Sequence, residues 1–182
     1  MNFTATLNSL YEKLLKSYGF QGWWPIAGVG YHKKDYSYPK TEAQRFEIFC
    51  GAILTQNTNW KNVEKSIANL LQNNLLNAEK ILEVDINFLQ ENIKSSGYFN
   101  QKAKKLKIIS EFFLQLNGKI PKREELLNLW GVGDETADSI LLYAYNQPEF
   151  VVDVYTRRIL LELGLIEDKT KYGMIKKIFE TN

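Results

Sequence analysis

The chain has 182 residues, 45% of them hydrophobic, enough for a real core without covalent staples. A formal net charge of +2, from 23 basic and 21 acidic residues, excludes a polybasic composition, and charge alone does not nominate nucleic acid as a ligand. The one cysteine, Cys50, excludes an internal disulfide; its place in the apolar run Phe46, Phe49, Ile53 predicts a buried free thiol in a reducing, cytoplasmic compartment, and neither a leader pattern nor an apolar run near the roughly 20 residues of a membrane-spanning helix is visible.

In chain order, an N-terminal helix is expected first. Residues 19–41, rich in Gly, Pro, Tyr and Trp, then predict an irregular excursion, a structured loop over a pocket. Apolar residues afterwards return at helical spacing: Phe46, Phe49, Cys50, Ile53; then Val63, Ile67, Leu70, Leu71; then Ala137, Ile140, Leu141, Ala144. Breaks fall at Gln56-Asn57-Thr58, Ser95-Ser96-Gly97, Asn117-Gly118 with Pro121, Gly131-Val132-Gly133 and Asn146-Gln147-Pro148. No alternating strand pattern appears, so an all-α chain of about eight or nine short helices is expected, without linkers or repeats. Lys102, Lys104, Lys105 and Lys107 form either a concentrated DNA-binding face or an ordinary solvated helix face.

The stretch from Leu126 through Trp130-Gly131-Val132-Gly133-Asp134-Glu135-Thr136-Ala137 turns one helix directly into another. Two glycines around one apolar residue let backbone N–H groups approach an anion such as a DNA phosphate, a contact that fixes position without reading sequence. The same residues suit a plain inter-helix turn, with Asp134 or Glu135 in the first turn of the next helix. One helix later comes Phe150-Val151-Val152-Asp153-Val154-Tyr155-Thr156-Arg157-Arg158.

Together, L-x-G-V-G-x-x-T-A and V-V-D-x-y-x-x-R resemble the helix-hairpin-helix and catalytic-aspartate signature of the endonuclease III superfamily of DNA glycosylases. Gly51-Ala52-Ile53-Leu54-Thr55-Gln56-Asn57-Thr58 is similar to that family's A-x-L-x-x-Q-x-T segment, and Gly97-Tyr98-Phe99-Asn100-Gln101-Lys102-Ala103 to its G-x-y-x-x-K-A segment, so the ordered match covers about residues 43–165. The resemblance implies the helix-hairpin-helix glycosylase fold, two helical lobes flanking a cleft. Residues 1–42, helix and aromatic loop, would join the second lobe; residues 43–165 would form the helical domain, with the hairpin at about 122–145; residues 166–182 would return to the second lobe. It further implies base excision repair by a monomer acting on double-stranded DNA that contains a damaged base.

Carried over by position, Asp153 matches the family's catalytic carboxylate. A glycosidic bond breaking through an oxocarbenium-like state needs a nearby negative charge, or a base to activate water. Asp153 would also cap the following helix, and both roles can hold. Gln56, Asn57, Gly131, Val132, Gly133, Thr136 and Arg157 are the implied DNA contacts. Gln56 matches the residue that related enzymes push into the gap left by a flipped base, its alternative being a cap on the helix that ends near Thr55.

Members that cut the backbone carry a lysine two residues beyond the second glycine, where this chain has Glu135. A carboxylate cannot form an imine, so a monofunctional enzyme is expected, with Glu135 beside Asp153 and water as nucleophile. Trp23-Trp24-Pro25, Gln56-Asn57-Thr58-Asn59-Trp60 and the Gly97 segment are similar to bacterial 3-methyladenine DNA glycosylases, in which aromatic residues at the positions of the tryptophan pair and of Trp60 wall the base pocket. Hydrophobic packing is the plain alternative for each. An indole face suits an alkylated, cationic base such as 3-methyladenine. Uracil, mismatched thymine or an oxidised base on the same fold is one alternative, and a non-catalytic hairpin module that only grips DNA is another. The four cysteines that hold an iron–sulfur cluster in many members are absent, and His32 has no cysteine companions for zinc, so neither metal nor cofactor is expected. Only 29 residues follow Asp153, fewer than in relatives, which implies a truncated product or a reduced second lobe. Residues 28–40 are an addition without an assigned purpose.

Overall fold

The computed structural model describes residues 3–181. Among them the chain forms ten α-helices: α1 (Phe3–Tyr18), α2 (Glu42–Leu54), α3 (Trp60–Gln72), α4 (Ala78–Glu83), α5 (Ile86–Asn92), α6 (Phe99–Leu116), α7 (Arg123–Leu127), α8 (Asp134–Tyr145), α9 (Val154–Glu162) and α10 (Tyr172–Glu180), with a 3-10 turn at Lys94–Ser96. The described part is thus all-α, with a lone bridge between Ile26 and Gly30 inside the aromatic segment. None of these helices is long and apolar enough to cross a membrane.

The helices outnumber the eight or nine expected because turn residues act as caps, and each cap starts a helix of its own. Thr41, Asn59, Asn77, Asp85 and Asp153 all accept a hydrogen bond from a first-turn backbone N–H, at 2.7 to 3.2 Å. The short α4 and α5 are therefore separate helices, set apart by the Asp85 cap.

Buried side chains divide into two clusters. The larger surrounds α2, whose residues Phe46 through Leu54 are all buried, and gathers apolar faces of α3, α4, α5, α6 and α8. The smaller holds Leu7 of α1, Val152, Leu160 of α9 and Ile175 of α10, with Phe150 stacked on Phe179 at 3.8 Å. Two expected boundaries shift accordingly. Trp24 and Ile26 of the aromatic segment pack into the larger cluster, because α2 offers them a notch: a Cβ on Gly51 would stand 2.8 Å from the Trp24 ring. Leu160, expected with the larger body, packs in the smaller one.

The lysine run of α6 is not a uniformly solvated face. Lys102 is buried and Lys107 partly so, and each donates to two carbonyl oxygens at helix ends: Lys102 to Leu54 and Ser96 at 2.8 and 2.7 Å, Lys107 to Leu82 and Val84 at 2.9 and 2.6 Å. Lys105 reaches the Gln56 side chain at 2.6 Å, leaving Lys104 as the exposed member.

The clusters are joined by one buried carboxylate. Asp138, on α8 and fully buried, accepts from Arg123 Nε of α7 at 2.7 Å, from the Tyr172 hydroxyl at 2.8 Å and from Lys176 Nζ of α10 at 2.9 Å. Lys176 also pairs with Glu149. Burial by itself would raise the Asp138 carboxyl, but the Arg123, Lys176 and Tyr172 donors outweigh it and hold it below the ordinary range. A lowered carboxylate stabilises the fold above the unfolded-state value, near pH 4, and that contribution fades as pH falls below it. Asp138→Ala removes the buried acceptor that Arg123 and Lys176 share, leaving them to Asp134 and Glu149, and is expected to cost about 3 kcal/mol, measured by chemical denaturation at neutral pH, with the deficit shrinking toward pH 3.

Candidate active site

The lobes enclose a cleft of about 800 Å3. Its walls come from five places: the α2–α3 turn, the Gly131–Glu135 hairpin with the first turns of α8, the entry to α9, the start of α10, and the tryptophan pair.

The α2–α3 turn is held from beneath by Lys102, whose ammonium group ties the last carbonyl of α2 to Ser96. Beyond it Asn57, exposed and at φ 53°, forms the tip, and Asn59 caps α3 so that Trp60 begins the helix facing the cleft. Gln56 is more tightly bound than its expected role in DNA requires. Its amide donates to Gly131 O and Thr136 Oγ1, both at 3.0 Å, and its carbonyl accepts from Lys105, so it neither caps α2 nor projects freely.

At the hairpin, Gly131 adopts φ 86° and lies against the Lys105 stem, where a Cβ would come within 2.4 Å of Cε. Only glycine meets both conditions. Gly133 precedes α8 without a side-chain cap, so the first amides of α8 are open toward the cleft. The neighbouring Asp134 is paired with Arg123 at 2.6 Å. Val132 is buried and anchors the turn in the larger core, and Thr136 is engaged by Gln56.

Asp153 caps α9, accepting from Thr156 N at 2.7 Å, and lines the cleft. Glu135 lines it too. Desolvation by the cleft walls, with a lesser contribution from the Asp153 charge, pushes the Glu135 carboxyl above the ordinary range. The two acids expected to work together are therefore brought within electrostatic reach. Asp134, Glu135 and Asp153 line the cleft, and no lysine or arginine does among the described residues, so the space favours a cation.

Trp23, Trp24 and Trp60 meet as a three-ring wall: Trp23 and Trp60 have centroids 4.7 Å apart, and Trp24 meets Trp60 edge-on at 5.2 Å. Trp24 is anchored in the core, whereas Trp23 is 38% exposed. Pro25 is not among the lining residues; the chain turns inward there to bury Ile26. Residues 28–40 now have a physical account. Both ring nitrogens of His32 face carbonyl oxygens at 2.8 Å, those of Trp24 and Asp35, and the ring stacks on Tyr38 at 4.7 Å, so this segment braces the tryptophan pair from behind.

Arg157, expected as a DNA contact, turns instead to the α9–α10 connection, donating to the carbonyls of Asp168 and Thr170. Several cleft residues escaped the sequence reading, Tyr143, Ser139 and Tyr172 among them. Tyr143 packs on Trp24 at 5.4 Å, and its hydroxyl is pushed up to about 12 by burial and by the Asp153 charge. Glu135, Ser139 and Tyr143 all line the cleft at helical spacing on α8, a signal the sequence did contain. Tyr172 reaches the cleft from α10 and had no such signal.

Burial, aided by repulsion from Lys105, brings Lys102 down to about 8 from the ordinary 10.5. A lysine lowered on folding binds fewer protons than in the unfolded chain between those values, so stability rises with pH across that window and is flat below it. Lys102→Met should abolish this rise and cost about 1 to 3 kcal/mol for each carbonyl left without its donor, read from denaturant midpoints between neutral and alkaline pH.

Comparison with known proteins places this geometry. Residues 50–182 match the model of the HhH-GPD superfamily of base excision DNA repair proteins. A protein of Methanocaldococcus jannaschii, named as a DNA repair glycosylase, is 45% identical over 184 aligned positions, covering 95% of this chain and 76% of its own. The crystal structure of Helicobacter pylori 3-methyladenine DNA glycosylase bound to 1,N6-ethenoadenine superposes with a TM-score of 0.77 at 32% identity, covering all of this chain and 81% of the other. An endonuclease III–DNA complex has a TM-score of 0.81 at 19% identity, covering all of this chain and 78% of the other, which speaks for the fold alone.

Proposed function

This chain belongs to the HhH-GPD superfamily of base excision DNA repair proteins, and we propose that within it the chain is a monofunctional DNA glycosylase that releases alkylated, cationic purines such as 3-methyladenine. The observation that carries this reading is the meeting, in one cleft beside the glycine hairpin, of two carboxylates with three tryptophans. The Helicobacter enzyme, a 3-methyladenine DNA glycosylase, supports the choice of base.

On this reading a backbone phosphate lies against the open amides at the start of α8, and the damaged nucleotide swings into the cleft. The tryptophan wall receives the base, whose positive charge is favoured by indole faces and by a cleft lined with acids and no bases. The glycosidic bond breaks with its electron pair leaving on the base, which departs neutral because alkylation had made it cationic. Asp153 stabilises the positive charge that develops on the sugar. Water adds to the sugar carbon, its proton passes to a carboxylate, and an abasic site remains. Glu135, placed where lyase members hold an amine, provides no nucleophile for an imine.

Asp153→Asn is the cleanest test, because asparagine caps a helix as well as aspartate and the fold should persist. Release of 3-methyladenine should fall about a hundredfold or more, followed under single-turnover conditions. Full activity in this variant would remove Asp153 from the chemistry, and release of uracil but not 3-methyladenine by the wild type would reassign the substrate. Borohydride should trap no covalent protein–DNA adduct; an adduct would contradict the monofunctional assignment. Trp23→Ala, which removes the exposed member of the wall, should weaken binding of the lesion by about 1 to 3 kcal/mol while undamaged DNA binds as before.

A further inference from the structure

Asp153 lies at the entry to α9, on the chain segment that passes from the larger lobe to the smaller. Its Oδ1 accepts from Thr156 N, a bond within the same helix that sets the rotamer and leaves the position of the segment open. Glu149, paired with Lys176, and Phe150, bonded through its N–H to Glu180, tie the preceding residues to α10, and the tether nearest Asp153 is one residue away. The backbone N–H of Val152 donates to the Tyr172 hydroxyl at 3.2 Å, and the same hydroxyl donates to Asp138 Oδ2 at 2.8 Å. Asp138 is itself held in the larger lobe by Arg123 of α7, and Lys176 of α10 reaches it from the smaller one. One oxygen atom, on a side chain that lines the cleft, thus joins the backbone beside Asp153 to the most deeply buried charge of the hairpin helix.

We propose that Tyr172 is a positioning residue for the reaction: its hydroxyl, bridging Val152 N and Asp138, holds Asp153 in register with the hairpin and hence with the sugar of a nucleotide gripped there. This rests on the glycosylase reading given above. A phenolic hydroxyl suits the task because it donates and accepts at once, which neither a carbonyl nor an amide N–H can do. Loss of the bridge lets the carboxylate drift relative to DNA held by the other lobe, and a displacement near 1 Å can cost about a hundredfold in rate. The hairpin itself, held by Gln56 and Val132, is left as it was, so affinity for DNA does not depend on the bridge.

Tyr172→Phe deletes the one oxygen and keeps the ring that packs against the smaller cluster. Four quantities are to be measured beside the wild type: single-turnover base release at saturating DNA, affinity for a lesion duplex, thermal midpoint, and the NMR resonances of the Val152 amide and Asp153 side-chain carboxyl. The expected result is a rate lowered about tenfold or more, with affinity nearly unchanged, a midpoint lowered modestly by the lost donor to Asp138 but still well above the assay temperature, and both resonances shifted. An unchanged rate overturns the proposal, as does a loss of rate that only follows a loss of affinity or folding, or an Asp153 resonance that does not move. A wild type that releases no base from any lesion duplex refutes the glycosylase reading alone, and the resonances then still decide whether the hydroxyl fixes the acid.

Discussion

A fully buried carboxylate is tolerated only when every lone pair finds a donor, and the demands of Asp138 organise much of this chain. To satisfy it, α7 must present Arg123 and α10 must present Tyr172 and Lys176, so three elements distant in sequence converge on one side chain of α8. The small lobe has few apolar residues with which to hold itself against the large one. Registration between lobes consequently falls to directional bonds, which fix an angle and an offset where apolar contact would allow sliding. The cleft inherits its width from that registration, and the acid at the entry to α9 inherits its place.

The second organising element is α2, buried at every residue from Phe46 to its end at Leu54. A helix that ends inside the core must end cleanly, because its last carbonyls have no water to turn to. Lys102 meets this need with a cation sunk into the core, and the turn that follows becomes a rigid edge of the cleft. Gly51 on the same helix admits the Trp24 ring against bare backbone, so one helix sets both the edge and the aromatic wall. Cys50, beside Gly51, is a bystander: burial, and behind it the Glu47 charge, raises its thiol far from reactivity.

How much of this could be read from the residues alone divides along a physical line. Features that depend on neighbours in sequence were legible: the all-helical pattern, the glycine hairpin, the Asp153 cap, and the motif order that led to the family. The contacts of Lys102, Gln56 and Arg157 within the chain were not legible because a long polar side chain has several partners within reach, and only the folded chain says which one it meets. The lysines of α6 looked like a surface charge and proved to be terminators of helices α2 and α4. Tyr172 and Asp138 stand 34 residues apart and carry no pattern at all, so the contact that joins the lobes was invisible. Residues 28–40 were opaque for a related reason, since the value of His32 lies in two carbonyl oxygens that any sequence would possess.

Gln56 carries a consequence for the mobility of the α2–α3 turn. Its amide is latched to the hairpin by two hydrogen bonds and its oxygen to Lys105 by a third, at the edge of the cleft. To swing out of the turn it must first let go of the hairpin and of Lys105, and net hydrogen-bond strengths near 1 kcal/mol set that release at a few kcal/mol in all. The turn is thereby latched at rest, and whatever draws Gln56 outward must supply an energy of that size.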